Sequence, residues 1–462
     1  MVIGVPDGDG VSVPHPSPRY YRENRGEYMK CIFSVPSPEG IRERMSAQRF
    51  TRTEYLFLLS LVVFAFIPSI NQLIVDRLVV EGGTEVLDIA GQIEWFDLFN
   101  ETVLAFLTVP MYFVLNRARN DSELSSRINT TFVLGFVAYS IVSVIIYLYA
   151  SNLAAYMSAP EESVNYLRLE TIGFVLGFIG SYLYVVFVVR GKWKLFVTLL
   201  IAKIVMLSIG NLMMIPENGV IGIAQTNICV NIIIAVASAL LLYKEGLMRK
   251  WSDLDRDALK DWVKTGLFSG GQVFIANLIY VMVVMKMVAD VSQMSDYWLA
   301  NNFIWGWLIV PVAALGDMLK REFYNGYKRI WNYLALVCLF LIIWLFSVPL
   351  WEPLFTYVIE MEDPSAVLNI LYKSVPFYVA YALSVIIQSV LISVGKTNYI
   401  FYECLFVNLV YYGIVYGLFL AGVFTASMDF IILMFGIGLV VCLVIDTFLY
   451  LYSKKDIPSE YQ

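Results

Sequence analysis

The sequence predicts an all-α, polytopic membrane protein, with twelve transmembrane helices in two six-helix lobes related by an internal repeat. Three observations lead there. Over 462 residues the chain is 59% hydrophobic and only 15% charged, with a mean hydropathy of +0.69, whereas a soluble protein of this length needs far more charged surface. Twelve runs approach the ~20 apolar residues that cross ~30 Å of hydrocarbon. Finally, NETVLAFLTVP, from Asn100 to Pro110, is echoed about 200 residues later by NNFIWGWLIVP, from Asn301 to Pro311. Gly191-Lys192 and Gly395-Lys396 recur at a similar separation, each just after a long apolar run.

The chain opens with a polar tail, residues 1–52, rich in Pro, Gly and charge and without the apolar core of a signal peptide. A short amphipathic helix over 41–50 is one reading of its end, and simple disorder is the other. The N-lobe, 53–243, holds apolar runs at 55–79, 95–115, 131–151, 166–189, 195–215 and 219–243. A linker over 244–264, KEGLMRKWSDLDRDALKDWVK, spaces Leu247, Trp251, Leu254, Leu259 and Trp262 amphipathically and reads as a helix lying on the membrane surface. The C-lobe, 265–452, holds runs at 265–289, 297–318, 331–349, 374–394, 398–421 and 428–450, before a short tail, 453–462.

Charge gives the orientation. With the N-terminus inside, all but five of the 32 Lys and Arg fall on the cytoplasmic side. The exceptions are Arg77, Arg168, Lys203, Lys286 and Lys373. The opposite loops carry carboxylates such as Glu81, Glu161, Glu162, Asp290, Glu360 and Asp363. This bias places both termini in the cytoplasm and the protein in the cell membrane as a multi-pass chain.

Several chemistries are excluded. The single histidine, His15, lies in the polar tail, so imidazole catalysis or a His-ligated metal within the membrane is ruled out. Cys31, Cys229, Cys338, Cys404 and Cys442 are scattered without CxxC spacing, which supports neither a zinc site nor a disulfide framework. No nucleophile–base pair marks an enzyme. A pore would need a ring of polar residues that the spans lack.

The order of short motifs adds a family. The first span ends INQLIVDRLVVEGG, the fourth begins NYLRLETIGF and ends VVRGKW, PENGVIGIAQTN joins the fifth to the sixth, and the seventh opens GLFSGGQ. In this series the chain resembles the multidrug and toxic compound extrusion (MATE) transporters of the MOP flippase superfamily, over roughly residues 55–450. The chain also departs from the family pattern. Phe268 replaces a usual Pro, and Lys192 and Lys396 stand where an acid commonly follows the glycine. Asn211 falls where cation-coupled members carry a fifth-span Asp, Ala276 where another branch carries a seventh-span Glu, and Tyr381 near that branch's tenth-span Asp. Of these carboxylates only Asp76 is kept, so the family's two-acid site is not expected.

A carboxylate within hydrocarbon costs several kcal/mol unless it is partnered, wet or protonated. Asp76 lies in the outer part of the first span, with Asn71 and Gln72 about a turn earlier. With Asn211, Thr226 and Asn227 it would form a site for Na⁺ or H⁺, and no other cofactor is expected. The alternative is a structural ion pair of Asp76 with Arg77 or Arg168. Glu101 and Glu403 are possible secondary acids, Glu101 being equally readable as a solvated helix-start residue. Lys203 and Lys286 read as snorkelling side chains. Tyr280, Trp305, Trp307, Tyr378 and Tyr381 are candidates to line a central cleft that takes apolar or cationic ligands. Pro68, Pro110 and Pro311 are candidate hinges, the last two at matching places in the repeat.

The resulting expectation is a monomeric secondary exporter in the lipid bilayer, with no nucleic-acid partner. By alternating access it would exchange external H⁺ or Na⁺ for an amphiphilic or cationic small molecule. A lipid-linked saccharide flippase of the same superfamily is the alternative.

Overall fold

Every apolar run of the sequence becomes a helix or a bent helix. The computed structural model describes residues 48–457, except 117, 119, 191, 245–254, 321, 323, 324 and 395, together with positions 39, 42, 45 and 46. Most of both tails, the centre of the linker and the glycines at 191 and 395 therefore lie outside the described residues, as do the side chains of Glu101 and Pro110. So does most of the expected surface helix at 41–50. Among the described residues there is no strand.

The first span is Arg52–Ala65 followed by Ile67–Glu81, the second Thr84–Asn116, the third Asp121–Tyr156 and the fourth Ser163–Val189. The fifth and sixth are Trp193–Asn218 and Val220–Lys244. Gly219 joins them at φ +58°, a left-handed turn that suits glycine. The seventh runs from Arg256–Ile279 through Tyr280–Met285 to Lys286–Asp290, and the eighth is Met294–Phe303, Ile304–Leu308 and Val310–Leu319. The ninth includes Asn325–Ser347, the tenth is Ser365–Ser393, the eleventh runs through Thr397–Leu405, Phe406–Tyr412 and Gly413–Leu420, and the twelfth is Met428–Ser453. Asn120, Asp255 and Ser427 cap the third, seventh and twelfth by accepting from backbone N–H groups of the first turn.

Among the described residues ten helices are long and apolar enough to cross a membrane, and eleven if the bent eighth span is counted as one. The second span is 33 residues long but acidic at its outer end, so its apolar stretch is only Leu98–Thr108. Large apolar side chains such as Phe346 (77% exposed) and Leu345 (70%) cover outward faces. In water such a surface would aggregate, and in a bilayer it meets lipid.

The packing repeats. The fourth span packs on the sixth and the third on the fourth; in the second half the tenth packs on the twelfth and the ninth on the tenth. The first lies against the fifth as the seventh lies against the eleventh, and the second against the fourth as the eighth against the tenth. Across the middle, the second meets the seventh and the eighth meets the first, pairs that exchange under the same swap. The twelve helices thus form two six-helix units related by a repeat.

At the outer ends, as the charge bias assigns them, the halves touch. Gly91 packs on the backbone of Ser295, where an added Cβ would come within 2.8 Å of its Cα and N. Arg77 pairs with Glu81 (2.8 Å) and, across the halves, with Glu360 (2.5 Å). The hydroxyls of Tyr156 and Tyr416 lie 3.3 Å apart. Lys286 pairs with Asp290 and Lys373 with Asp429 (2.6 Å), so three of the five stray cations have acidic neighbours at the same end. At the inner ends Arg329 bonds Glu54 and Glu322, and Arg127 lies 3.5 Å from Asp255.

Candidate functional site

Between the halves, beneath the outer contacts, lies a cavity of about 730 Å³. Its first wall presents Asn71, Gln72, Tyr166, Asn211 and Asn227; its second presents Asn277, Tyr280, Trp298, Asn301, Asn302, Trp305, Asn408, Tyr412 and Phe435. Amides and aromatic rings dominate, and no charged side chain is among the lining residues.

Asp76 sits just behind this wall, buried at 6% exposure. Its Oδ1 accepts from Gln72 Nε2 (2.9 Å), one turn earlier, and from Asn302 Nδ2 (2.9 Å) on the eighth span. Both donors line the cavity, so the carboxylate is tied to one amide from each half. The alternative ion pairs are not formed. Arg77 is engaged with Glu81 and Glu360, and the Arg168 guanidinium lies over the Tyr147 ring, 5.7 Å from its centroid.

Three other residues named with Asp76 line the cavity: Asn71, whose Oδ1 accepts from Ser208 Oγ (3.0 Å), Asn211 and Asn227. Thr226 is buried against Gly210 rather than at the wall. The Asn211 Oδ1 and Thr226 Oγ1 oxygens are buried and have no hydrogen-bond partner among the described residues. Unsatisfied buried oxygens are the donor chemistry that Na⁺ or a shared proton would complete.

The buried acid found on this side is one the sequence reading did not name. Glu170, in the fourth span, is buried at 1% and accepts from Asn227 Nδ2 (2.6 Å), while its Oε2 is unpartnered. Lys203, read as snorkelling, is half-buried and within electrostatic reach of Glu170. The signal was present in NYLRLETIGF, an acid inside an apolar run, but the arginine two residues earlier invited a surface reading.

The aromatic candidates divide. Tyr280 and Trp305 line the cavity, and Tyr280 shares a hydroxyl contact with Tyr297 (2.6 Å). Tyr378 and Tyr381 stand behind Trp305, with ring centroids 6.1 and 5.2 Å away. Trp307 faces the first span, 5.5 Å from Phe66. The hinge candidates divide too. The first span breaks at Phe66 with Pro68 in the next turn. The eighth bends by 45° between Leu308 and Val310, just before Pro311. The second span runs as one helix through Pro110, without a break like the one before Pro311. The two breaks meet, Ser69 Oγ donating to the Gly306 carbonyl at 2.6 Å.

Three segments of the second wall, Tyr280–Met285, Ile304–Leu308 and Phe406–Tyr412, wind as π-helix. Such bulges free backbone carbonyls and redirect side chains, and they are frequent at functional sites. Glu403, the remaining secondary acid, is buried at 4% in the second half beside Asp446, which the sequence reading passed over.

Neither a protein-family model nor a curated protein matches the sequence. Solved structures do. One described as the inward-facing conformation of a multidrug resistance MATE family transporter of the MOP superfamily is similar over 87% of this chain and 99% of its own, at a TM-score of 0.71 and 15% identity. A MOP superfamily transporter from Pyrococcus furiosus, described by the reverse polarity of its binding pocket, is similar over 88% of this chain and 100% of its own, with a TM-score of 0.65 and 15% identity. A MATE transporter of Vibrio cholerae is similar over 88% and 98%, with a TM-score of 0.63 and 16% identity. At these identities the likeness establishes architecture: the chain is a multi-pass membrane protein with the fold of the MATE-family transporters of the MOP superfamily.

Proposed function

We propose that the protein is a secondary exporter that exchanges an external cation, H⁺ or Na⁺, for an amphiphilic or cationic small molecule by alternating access. One observation carries this reading. Among the described residues Asp76 has no basic partner and is held by Gln72 and Asn302, one amide from each half, at the edge of the cavity. A hydrogen bond to an ionised carboxylate contributes about 1.5–3 kcal/mol and a neutral one about 0.5–1.5. Neutralising Asp76 with a proton or a sodium ion therefore weakens the tie between the first and eighth spans. Those spans also meet at their breaks, through Ser69 and Gly306. Loading the cation on the outside would loosen the crossing and let the halves rock.

The cavity wall fits an uncharged or cationic amphiphile. Rings give dispersion and cation–π attraction, and amides give adaptable hydrogen bonds. A lipid-linked saccharide carries a phosphate-bearing head that would call for Lys or Arg at the wall, and the lining residues include neither. That favours the exporter over the flippase.

The test uses purified full-length protein in liposomes, with efflux of a fluorescent cationic dye under a Na⁺ gradient or a pH gradient imposed separately. Asp76→Asn is expected to reduce gradient-driven efflux to the background of empty vesicles. Undiminished efflux in that variant would remove Asp76 from the mechanism.

A further inference from the structure

The second half has buried acids of its own, away from Asp76. Glu403 lies six residues into the eleventh span and Asp446 seven residues before the end of the twelfth. At 1.5 Å per residue each is roughly 10 Å in from the inner helix ends, at matching depth. Asp446 is fully buried (0% exposed) and Glu403 nearly so. The two carboxylates lie within electrostatic reach of each other, and Asp446 Oδ2 accepts from Ser384 Oγ and from Gln388 Nε2, the latter at 2.9 Å. Asp446 Oδ1 has no hydrogen-bond partner among the described residues.

Charge balance makes this arrangement informative. No Lys or Arg among the described residues is recorded in an ion pair with either acid. Among the described residues, the titratable groups facing the pair are Cys442 and, around that thiol, Cys404, Tyr381 and Tyr412, none of them basic. Two adjacent ionised carboxylates in hydrocarbon would each carry an uncompensated desolvation cost of several kcal/mol, with mutual repulsion added. A bound cation must offset that charge. Sodium asks for five or six oxygens, whereas the site offers amide and hydroxyl hydrogens to Asp446 and a thiol to Glu403. The donors on Asp446 suit it as the anion and leave Glu403 as the acid.

We propose that Glu403 and Asp446 form a proton-holding pair, a second cation site in the C-terminal half, reached from the cavity past Cys442. Cys442 both lines the cavity and bonds Glu403. The use of this proton in coupling rests on the exporter reading above; its presence does not.

Dicyclohexylcarbodiimide adds to protonated carboxyls in apolar surroundings and leaves carboxylates unmodified. Full-length protein in liposomes, treated at pH 7 and digested for mass spectrometry, should carry the adduct on Glu403, several-fold less of it at pH 9, and the same amount whether Na⁺ or K⁺ is present. Asp76→Asn should leave that labelling unchanged, which separates this site from the first. Infrared spectra should show a protonated-carboxyl C=O band in the wild type that Glu403→Gln lacks. Absence of both adduct and band, or protection of Glu403 by Na⁺ at constant pH, would overturn the proposal.

Discussion

The two halves share a helix pattern but not a surface. In the first, the cavity wall is built on regular α-helices and presents Asn71, Gln72, Asn211 and Asn227 among apolar side chains and one ring, Tyr166, with Asp76 and Glu170 buried behind them. In the second, three π-helical segments turn rings and Asn408 toward the same space. The echoed motif shows the divergence in detail. Asn100 accepts a hydroxyl from Tyr139 inside its own half, whereas Asn301 lines the cavity. Pro110 sits in an unbroken helix, whereas Pro311 follows a 45° bend. A duplicated scaffold keeps the helix packing that stability requires, while the wall facing the gap is free to specialise. In the proposed exporter, this difference would give cation handling at the outer level to the first half and ring contacts with the cargo to the second.

That division can be broken by substitution. The largest expected effect is on dye binding. Trp305→Ala removes a ring worth about 1 kcal/mol to a bound cation and should raise the Kd roughly fivefold, leaving the Na⁺ or pH dependence of efflux in place. Asn211→Ala should do the reverse, shifting the cation dependence while dye affinity stays within about twofold. Equal losses of dye affinity in both variants would end the division of labour. Next in size, Pro311→Ala restores the missing backbone donor at the bend and should slow transport several-fold, whereas Pro110→Ala should change it little. Matching losses would mean that both prolines act as hinges. The smallest effect belongs to Trp307→Ala, which faces Phe66 rather than the cavity and should leave the Kd unchanged in a dye-binding titration.

The fold was legible because a bilayer imposes so few solutions: span length, charge bias and apolar content fix the helices almost alone. The site was legible on one helix at a time. Asp76, Asn71 and Gln72 are neighbours in sequence, and Asn211 and Asn227 follow from their depth in adjacent spans. Asn302 was not legible, since it reaches Asp76 across a separation of 226 residues and only the docking of the halves joins them. Asp446 could have been found by the cost argument applied to Asp76, as an acid stranded in VCLVIDTFLY. The π-segments leave no compositional trace, because a bulge is a shift of hydrogen-bond register rather than a choice of residues.

The contact of Gly91 with the backbone of Ser295 bears on how the outer mouth would part. Two main chains touching without side chains between them have nothing to unthread, and dispersion across such a seam fades within an ångström or so. Separation there needs no rotamer change and passes no interlocked intermediate. The seam can behave like a rolling bearing, with the exposed Arg77–Glu360 pair as a clasp beside it.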